Sequence, residues 1–442
     1  MLRRIKNHKE FIGQVGTIIS GRSISAVLGL LVTPIVARLF SPSDFGVTAS
    51  FLGLAGIGAQ VASLRYESAV VLPKSDHEAL LLTTLAYRIL PAFCLLLLGI
   101  IALMDATGIR WSALDLLGVW TWMLPITVLF MDAQDIQETW LSRKKQFGVI
   151  SKSVMAETAV GSVARIGFGV LEGSSVHGLI IGQLVGVVTR LVIQGRAATD
   201  TFWAMFRGIT WQSLRDIARR YSDFPRLNAP ASLIFSTGQN LPVLMFGVMF
   251  SPAIAGYFAM ANRLVRVPVQ VVAISVRGVY LQKAATIHND GRSLRRSYVL
   301  TTLGLFAMGA VPCVAVWLYG QPLLSWLLGG KWHTAGRYLE IIVPWVLLTW
   351  ATAPCNSIFI VLRKQTYWLV LQAITTIVRL AAFAIGFAFE LGAERTLELF
   401  VLFATVGSLA TIALTFSLTS RKKLKRVGSS TMIQDQEERI PE

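Results

Sequence analysis

Long apolar blocks without charge constrain this chain more than any other feature. Residues 299–319, 341–362 and 400–418 contain no Asp, Glu, Lys or Arg. A helix rises about 1.5 Å per residue, so each block is long enough to cross a hydrocarbon core of about 30 Å. Charged residues make up 15% of the chain, against about 25% in soluble domains. We therefore predict an all-α polytopic membrane protein.

Hydropathy predicts about twelve transmembrane helices. They cover approximately residues 11–39, 45–66, 79–104, 114–136, 149–171, 176–194, 229–250, 254–276, 298–319, 339–362, 367–389 and 397–418. The second, fifth and eighth are the weakest, because they contain charges or many small residues. An even number of spans places both termini on the same side of the membrane.

The basic residues predict which side that is. The net charge is +17, and Lys and Arg concentrate in alternate connecting segments such as 143–145 and 421–426. The only basic residues in the intervening segments are Arg110, Lys331, Arg337 and Arg395. Because short basic loops stay on the cytoplasmic side, both termini are predicted to be cytoplasmic. No polar element combines a basic stripe with aromatic residues, so nucleic acid is not an expected partner.

An internal repeat divides the chain. Phe40-Ser41-Pro42 recurs 210 residues later as Phe250-Ser251-Pro252, and at the same offset Gly46 matches Gly256. Six spans separate the copies, so both have the same orientation and the halves are predicted to be parallel repeats. The predicted parts are a six-helix lobe at 1–196, a cytoplasmic linker at 197–228, a second six-helix lobe at 229–420 and a basic tail at 421–442.

Within the linker, one face of an amphipathic helix is predicted to lie on the membrane. Its apolar residues are Trp203, Phe206, Ile209, Leu214 and Ile217.

Arginines inside the predicted spans are the candidate binding residues. A charge at the bilayer centre costs at least about 2.5–3.5 kcal/mol, so such residues usually face water or a partner. Guanidinium groups bind phosphate bidentately and stay charged at any relevant pH. We therefore predict that at least two of Arg22, Arg263, Arg266 and Arg379 face a common cavity that binds an anionic substrate. The candidates are Arg22, Arg65, Arg263, Arg266 and Arg379.

Acidic residues in the spans are weaker candidates, for ion coupling. They are Glu67, Glu157, Asp132 and Asp135. Other interpretations stay open: Asp132 and Asp135 could lie on a solvated interfacial face, and Glu157 and Arg165 could neutralise each other or pair with other helices. Arg65, Arg88 and Arg190 are close enough to the inner surface to extend their charges to water. Catalytic motifs and metal-ligand spacings are absent from the sequence, so neither an enzymatic reaction, a metal nor a cofactor is expected.

Several segments, in order along the chain, resemble the oligosaccharide flippases of bacterial polysaccharide export. SLRYESAVVLPKSDHEA at 63–79 and RYSDFPRLNAP at 220–230 are the most specific. The others are ARLFSPSDFG at 37–46, WLSRKKQF at 140–147, AGYFAMANRLVRVP at 255–268 and GKWHTAGRYLEIIVPW at 330–345. These flippases share a superfamily with multidrug extruders and the lipid II flippase.

The resemblance implies a two-lobed, twelve-helix fold with a central cavity. It implies transport of undecaprenyl-diphosphate-linked repeat units to the periplasmic leaflet of a bacterial inner membrane, by ion-coupled alternating access. In that role the five arginines would contact the diphosphate or sugar. Membrane lipids, a polysaccharide polymerase and a chain-length regulator would be the other partners.

Two alternative functions are considered. A multidrug extruder-type antiporter should have an acidic cavity, and the excess of arginine disfavours it. A membrane glycan polymerase or ligase should carry a large periplasmic loop, and the predicted outer loops are short.

Overall fold

The computed structural model describes residues 2–109, 111–199 and 209–420, and no β-strand occurs within these ranges. Twelve helices of 18 residues or more occur there, as twelve predicted spans require. In chain order they are α1 Leu2–Leu39, α2 Pro42–Ala59, α3 Asp76–Thr107, α4 Leu124–Arg143, α5 Phe147–Leu171, α6 Val176–Ala197, α7 Ala229–Met249, α8 Pro252–Asn289, α9 Arg295–Leu328, α10 His333–Ala351, α11 Gln365–Ala388 and α12 Ala393–Ser420. Three shorter helices are Ser112–Leu117, Trp211–Arg220 and Cys355–Val361.

Ten helical regions in the described residues are long and apolar enough to cross a membrane. The two long helices outside this set, α2 and α8, correspond to the second and eighth predicted spans. The fifth span, α5, meets the criterion although it contains charges. The polytopic all-α prediction is therefore confirmed.

The exterior of the bundle is apolar, which is the reverse of a soluble protein. Leu95, Val163 and Val311 expose 68%, 70% and 76% of their surface. Exposed apolar residues on this scale would cause a soluble chain to associate. In a bilayer they face lipid tails, which are as apolar as the side chains, so their exposure has no hydrophobic cost. These surfaces identify the membrane-facing sides of the helices.

The helices form two lobes, α1–α6 and α7–α12, with matching contacts. The pairs α1–α5, α2–α4, α3–α4, α4–α6 and α5–α6 correspond to α7–α11, α8–α10, α9–α10, α10–α12 and α11–α12, and all ten pairs are in contact. Each lobe has its own apolar core, with Leu82 and Ile136 in the first and Phe258 and Phe400 in the second. The parallel repeat is confirmed.

The repeated Phe-Ser-Pro turns start α2 and α8 in the same way. The Ser41 hydroxyl accepts from the Asp44 amide at 3.2 Å, and the Ser251 hydroxyl accepts from the Ile254 amide at 3.3 Å. In each case proline occupies the first helical position, where its missing N–H costs nothing. Both turns lie at the same end of the bundle, which we call the FSP face.

At the FSP face, α2 and α8 cross with almost no space between them. A Cβ on Gly46 would lie 1.7 Å from the Pro252 carbonyl oxygen, and one on Gly256 would lie 1.8 Å from that of Pro42. No residue with a side chain fits this backbone contact. The glycines matched by the sequence repeat therefore mark the point where the two lobes approach most closely along these helices.

Polar and aromatic contacts also join the lobes at the FSP face. The Trp332 Nε1 donates to the Ala37 carbonyl at 2.9 Å, and the Lys331 Nζ donates to the Arg38 carbonyl at 3.0 Å. The ring of Trp332 meets that of Phe45 edge-on, with centroids 5.1 Å apart. These contacts close the FSP face in this conformation.

The linker helix Trp211–Arg220 packs on the first lobe. Leu214 and Ile217 are buried in that lobe's core, and the Tyr66 hydroxyl donates to the Ala218 carbonyl at 3.2 Å. Ile209 packs against the same core. The prediction that this apolar face lies on the membrane is therefore wrong for Ile209, Leu214 and Ile217, because the lobe itself covers it. Trp203 and Phe206 lie outside the described residues.

The linker boundaries stay a prediction. Helix α6 ends at Ala197 and α7 begins at Ala229, close to the predicted limits 197 and 228. Residues 421–442, the predicted tail, lie outside the described part of the chain.

Candidate functional site

The repeat is broken where α2 and α8 meet the opposite lobe. On α2, Gly53 and Gly56 face α7, and their Cβ positions would lie at ordinary contact distances of 3.4 Å and 3.7 Å from atoms of Asn240. At the equivalent positions of α8, 210 residues later, stand Arg263 and Arg266. The contact between α8 and α1 is also much smaller than that between α2 and α7. A cavity of about 270 Å³ lies between α1, α5, α6 and α8.

This interlobe cavity has charged walls from both lobes. Glu157 and Arg165 of the first lobe line it together with Arg263 of the second. The Arg263 Nη2 lies 3.8 Å from where a Cβ on Gly29 would be. Gly29 is about 15 Å from the end of α1 at the FSP face, and Arg263 is about 16 Å from the start of α8. The cavity therefore lies near the middle of a hydrocarbon core of about 30 Å.

A chain of ion pairs leads from this cavity along the first lobe. Glu157 accepts from Arg190 at 3.0 Å, and Arg190 also pairs with Glu138. Glu138 in turn pairs with Arg22, whose side chain is half exposed. Arg190, predicted to extend to the membrane surface, is instead mostly buried between its two carboxylates.

Arg165 is the residue that the sequence interpretation missed. Of the two interpretations of Glu157, the structure supports pairing with another helix, since Glu157 pairs with Arg190 on α6. The Arg165 Nε donates to the Gly161 carbonyl at 3.0 Å, and the side chain lines the cavity. The sequence shows that Arg165 lies deep in an apolar span, but it does not show that Glu157 pairs with Arg190 on α6.

The charge of this region can be counted. The cavity and its chain of ion pairs contain four guanidinium groups and two carboxylates. Arg22 is half exposed and lies about 25 Å from the FSP end of α1, so the lining of the cavity itself, with Arg165, Arg263 and Glu157, carries one unbalanced positive charge near the membrane centre. Such an excess is costly in an empty apolar interior and favourable beside an anion.

A second, larger cavity of about 560 Å³ lies inside the second lobe, between α7, α8, α10 and α11. Arg266 lines it, together with amide side chains such as Gln239 and Asn262. None of its lining residues is acidic. We call it the C-lobe cavity.

Arg379 lies behind one wall of the C-lobe cavity and lines neither cavity. Its Nη2 donates to the Gly238 carbonyl at 2.6 Å. Its guanidinium also lies over the rings of Trp345 and Phe400, 5.5 Å and 5.4 Å from their centroids. These contacts stabilise its buried charge and hold the indole of Trp345 in place.

Arg65 lies in a separate acidic network at the end of α2. It adopts a left-handed backbone conformation, with φ of 63°, and its Nη1 lies 3.2 Å from the Glu67 carboxylate. The Ser63 hydroxyl lies 2.7 Å from the Glu67 Oε2 and 3.1 Å from the Asp132 Oδ1. Glu67 and Asp132 are almost fully buried, and Asp135 follows on the same face of α4. The interpretation of Asp132 as part of a solvated face is therefore wrong.

The five predicted arginines thus do not share one cavity. Arg263 lines the interlobe cavity, and Arg22 connects to it through the ion pairs. Arg266 lines the C-lobe cavity, while Arg65 and Arg379 are held by groups within their own lobes. Among the described residues, no group of three His, Cys, Asp or Glu is placed to hold a metal ion.

Comparisons with known proteins agree with this architecture. Residues 35–336 match the family described as "Polysaccharide biosynthesis protein". The "Succinoglycan biosynthesis transport protein ExoT" of Rhizobium meliloti (strain 1021) is 22% identical over 386 residues, which cover 84% of this chain and 74% of that protein.

Solved structures with a similar fold are membrane transporters. "Lipid II flippase MurJ" in an inward closed conformation has a TM-score of 0.70 at 11% identity, covering 91% of this chain and 89% of that one. An inward-facing multidrug resistance MATE family transporter of the MOP superfamily has a TM-score of 0.62 at 16% identity, covering 93% and 96%. At these identities the likeness shows the fold alone.

Proposed function

The chain belongs to the polysaccharide biosynthesis protein family, and from that premise we propose that it flips undecaprenyl-diphosphate-linked oligosaccharide repeat units across a bacterial inner membrane. The observation that carries this proposal is the interlobe cavity, whose lining has an excess of positive charge near the membrane centre and one arginine from each lobe. A diphosphate diester carries one negative charge on each phosphate, so each arginine has one phosphate to bind. The similarity to a succinoglycan transport protein supports an exopolysaccharide as the product.

Arg165 and Arg263 are placed to bind the diphosphate from opposite lobes. Guanidinium groups form paired hydrogen bonds with phosphate oxygens, and in a water-poor cavity these bonds are strong. A ligand held by both lobes is released when the lobes move apart, as alternating access requires. Arg22 and Glu138 extend the polar path from the cavity toward the end opposite the FSP face.

The proposed orientation follows from the loop charges. The FSP face is periplasmic and both termini are cytoplasmic, because the basic loops lie at the other end. Repeat units would enter from the cytoplasmic side while the FSP contacts are closed, and leave when those contacts open. A polymerase and a chain-length regulator would receive the product in the periplasm.

The acidic network of the first lobe is our candidate for ion coupling, with protons as the ion. Ser63 has one hydroxyl hydrogen and lies within hydrogen-bond distance of both Glu67 and Asp132. Its one hydrogen can be donated to either carboxyl group, and Arg65 beside Glu67 favours Glu67 as the charged acceptor. The contact with Asp132 is then a hydrogen bond only when Asp132 carries a proton and donates it to Ser63.

The same geometry assigns the other predicted acidic residues. The Asp132 Oδ2 is buried without a hydrogen-bond partner among the described residues, which disfavours a carboxylate anion there. We assign the exchangeable proton to Asp132, with Asp135 as the next carboxyl along α4. Glu157 belongs to the ion pairs of the interlobe cavity instead.

Reconstitution tests the flippase proposal directly. Proteoliposomes carrying lipid-linked oligosaccharide from the host strain are treated with membrane-impermeant periodate, and newly exposed sugar is measured. We expect Arg263→Gln to abolish flipping and Arg263→Lys to restore part of it, since lysine keeps the charge but loses the planar fork. Arg292→Gln, at an exposed ion pair in the loop after α8, is the matched control.

The same vesicles separate the alternatives. Full flipping by Arg263→Gln would contradict the proposed diphosphate site. Transport of a cationic dye without sugar movement would favour a multidrug extruder, and lengthening of the glycan would favour a polymerase. For coupling, Asp132→Asn should flip substrate at one slow rate with or without a pH gradient. A persisting gradient response would exclude Asp132 as the proton carrier.

A further inference from the structure

The C-lobe cavity has a chemistry that a diphosphate does not require. Its walls carry the amides of Gln239, Asn262 and Gln372 and the hydroxyl of Thr349, facing the same space as the indoles of Trp345 and Trp368. Polar side chains are expensive at membrane depth unless they have a partner. A volume of about 560 Å³ is in the range of ligand sites, roughly 300–1,000 Å³.

We propose that the C-lobe cavity binds the saccharide part of the lipid-linked substrate and selects it by its hydroxyl pattern. Each amide both donates and accepts hydrogen bonds, as sugar hydroxyls do. Indole rings offer flat apolar surfaces to the C–H faces of a pyranose, and their N–H groups remain available to oxygen.

The lining disfavours other occupants. A cationic amphiphile would need a carboxylate, and none of the lining residues has one, whereas Arg266 adds a positive charge. A lipid tail would leave the amides without hydrogen-bond partners at a cost of about 1–3 kcal/mol for each group. Saccharides satisfy both the polar and the aromatic surfaces.

The two cavities share α8 as a wall, which suits a substrate with two parts. Arg263 faces the interlobe cavity, and Asn262 and Arg266 face the C-lobe cavity. Arg263 and Arg266 are one helical turn apart, about 4.5 Å along the axis. In our proposal a diphosphate at Arg263 and a sugar beside Asn262 and Arg266 lie against neighbouring faces of α8.

The back wall of the C-lobe cavity is rigid. A Cβ on Gly238 would lie 2.4 Å from the Thr376 Cγ2, so α7 and α11 pack tightly there. Outside the cavity, Arg379 donates a hydrogen bond to the Gly238 carbonyl and its guanidinium lies over the ring of Trp345. A preformed wall with a fixed indole is suited to discriminate between sugars, because little ordering is required on binding.

This inference rests on the proposed function, and binding of two probes separates them. Full-length protein in nanodiscs is titrated with undecaprenyl diphosphate, and with the undecaprenyl-diphosphate-linked oligosaccharide isolated from the host strain. We expect Asn262→Leu and Gln372→Leu to weaken binding of the second probe about three- to tenfold, as for one lost neutral hydrogen bond. Binding of the first probe should not change.

Controls and contrary results are distinct. Gln365→Leu makes the same exchange at an exposed position at the start of α11 and should change neither affinity. Arg263→Gln should weaken both probes. Equal loss of both probes in the C-lobe variants, or no loss of either in variants with wild-type thermal stability, would overturn the saccharide site. Failure of the wild type to bind either probe would refute the proposed function, and this inference with it.

Discussion

The crossing of α2 and α8 gives the sharpest test of how the lobes close. Alanine at Gly46 would improve the helix propensity of α2 by about 1 kcal/mol. Its methyl group, however, would lie 1.7 Å from the Pro252 carbonyl oxygen, and this oxygen must retreat by about 1.7 Å to reach an ordinary 3.4 Å contact. Overpacking by one methyl group costs about 1–3 kcal/mol. We expect Gly46→Ala to shift the equilibrium toward an open FSP face by about 5- to 150-fold.

Pulsed EPR can measure this shift. Nitroxides at Glu172 and Glu390 would report the separation of the lobes, because both residues are exposed in turns at repeat-equivalent places, after α5 and after α11. The three native cysteines are buried and are replaced by alanine. The population at long distance should rise in Gly46→Ala. Flipping should slow, because the closed FSP face that accepts substrate becomes rare.

Two comparisons make the measurement decisive. Gly99→Ala on α3 changes another helical glycine with no atom within 4 Å of its Cβ position, and should leave the distances unchanged. Adding Gly256→Ala to Gly46→Ala should do less than the sum of the two, because one retreat of α2 from α8 relieves both contacts. A folded Gly46→Ala protein with the wild-type distance distribution would refute this account of the crossing.

Three further predictions address orientation, folding and closure. An alkaline phosphatase fusion at Gly173 should be active and one at Lys145 inactive; the opposite pattern would invert the proposed orientation. Arg190→Ala leaves two carboxylates without their shared cation and should lower the free energy of unfolding by about 3–5 kcal/mol, while the exposed Arg292→Ala should cost under about 1 kcal/mol. Equal shifts of the unfolding temperature in the Arg190→Ala and Arg292→Ala variants would contradict this expectation. Trp332→Phe removes the hydrogen bond to the Ala37 carbonyl, worth about 1 kcal/mol. It should raise the open FSP population about fivefold in the same EPR assay, and an unchanged population would contradict it.

Those features of the fold that depend on local pattern were predictable from the sequence. Span lengths follow from the bilayer thickness, and the twelve long helices match the predicted spans. The repeat at Gly46 and Gly256 was predictable because the same turn and the same close contact are encoded twice. Even the weak spans α2 and α8 were correctly identified as unusual, because glycine and arginine lower their hydropathy.

The partners of the buried charges were not predictable, because they depend on how helices rotate against each other. Glu157 and Arg165 are close in sequence on α5, yet Glu157 turns toward Arg190 on α6. Arg379 lies at mid-span, as predicted, but its acceptor is a carbonyl of α7. Hydropathy gives the depth of a residue and not the side of the helix that faces a cavity. Depth alone therefore grouped five arginines that the fold distributes among four surroundings.

The position of the interlobe cavity was nevertheless encoded in the difference between the repeats. Gly53 and Gly56 of α2 correspond to Arg263 and Arg266 of α8 at the same offset of 210 that relates the Phe-Ser-Pro turns. Gly53 and Gly56 contact α7, whereas Arg263 lines the interlobe cavity and Arg266 lines the C-lobe cavity, so the two repeats differ in charge at equivalent positions. A two-lobed transporter with equivalent halves would close equally on both sides of its axis. An amphiphilic substrate with one charged end needs an asymmetric cavity, and the difference between Gly53 and Arg263 supplies one of the charges of that cavity.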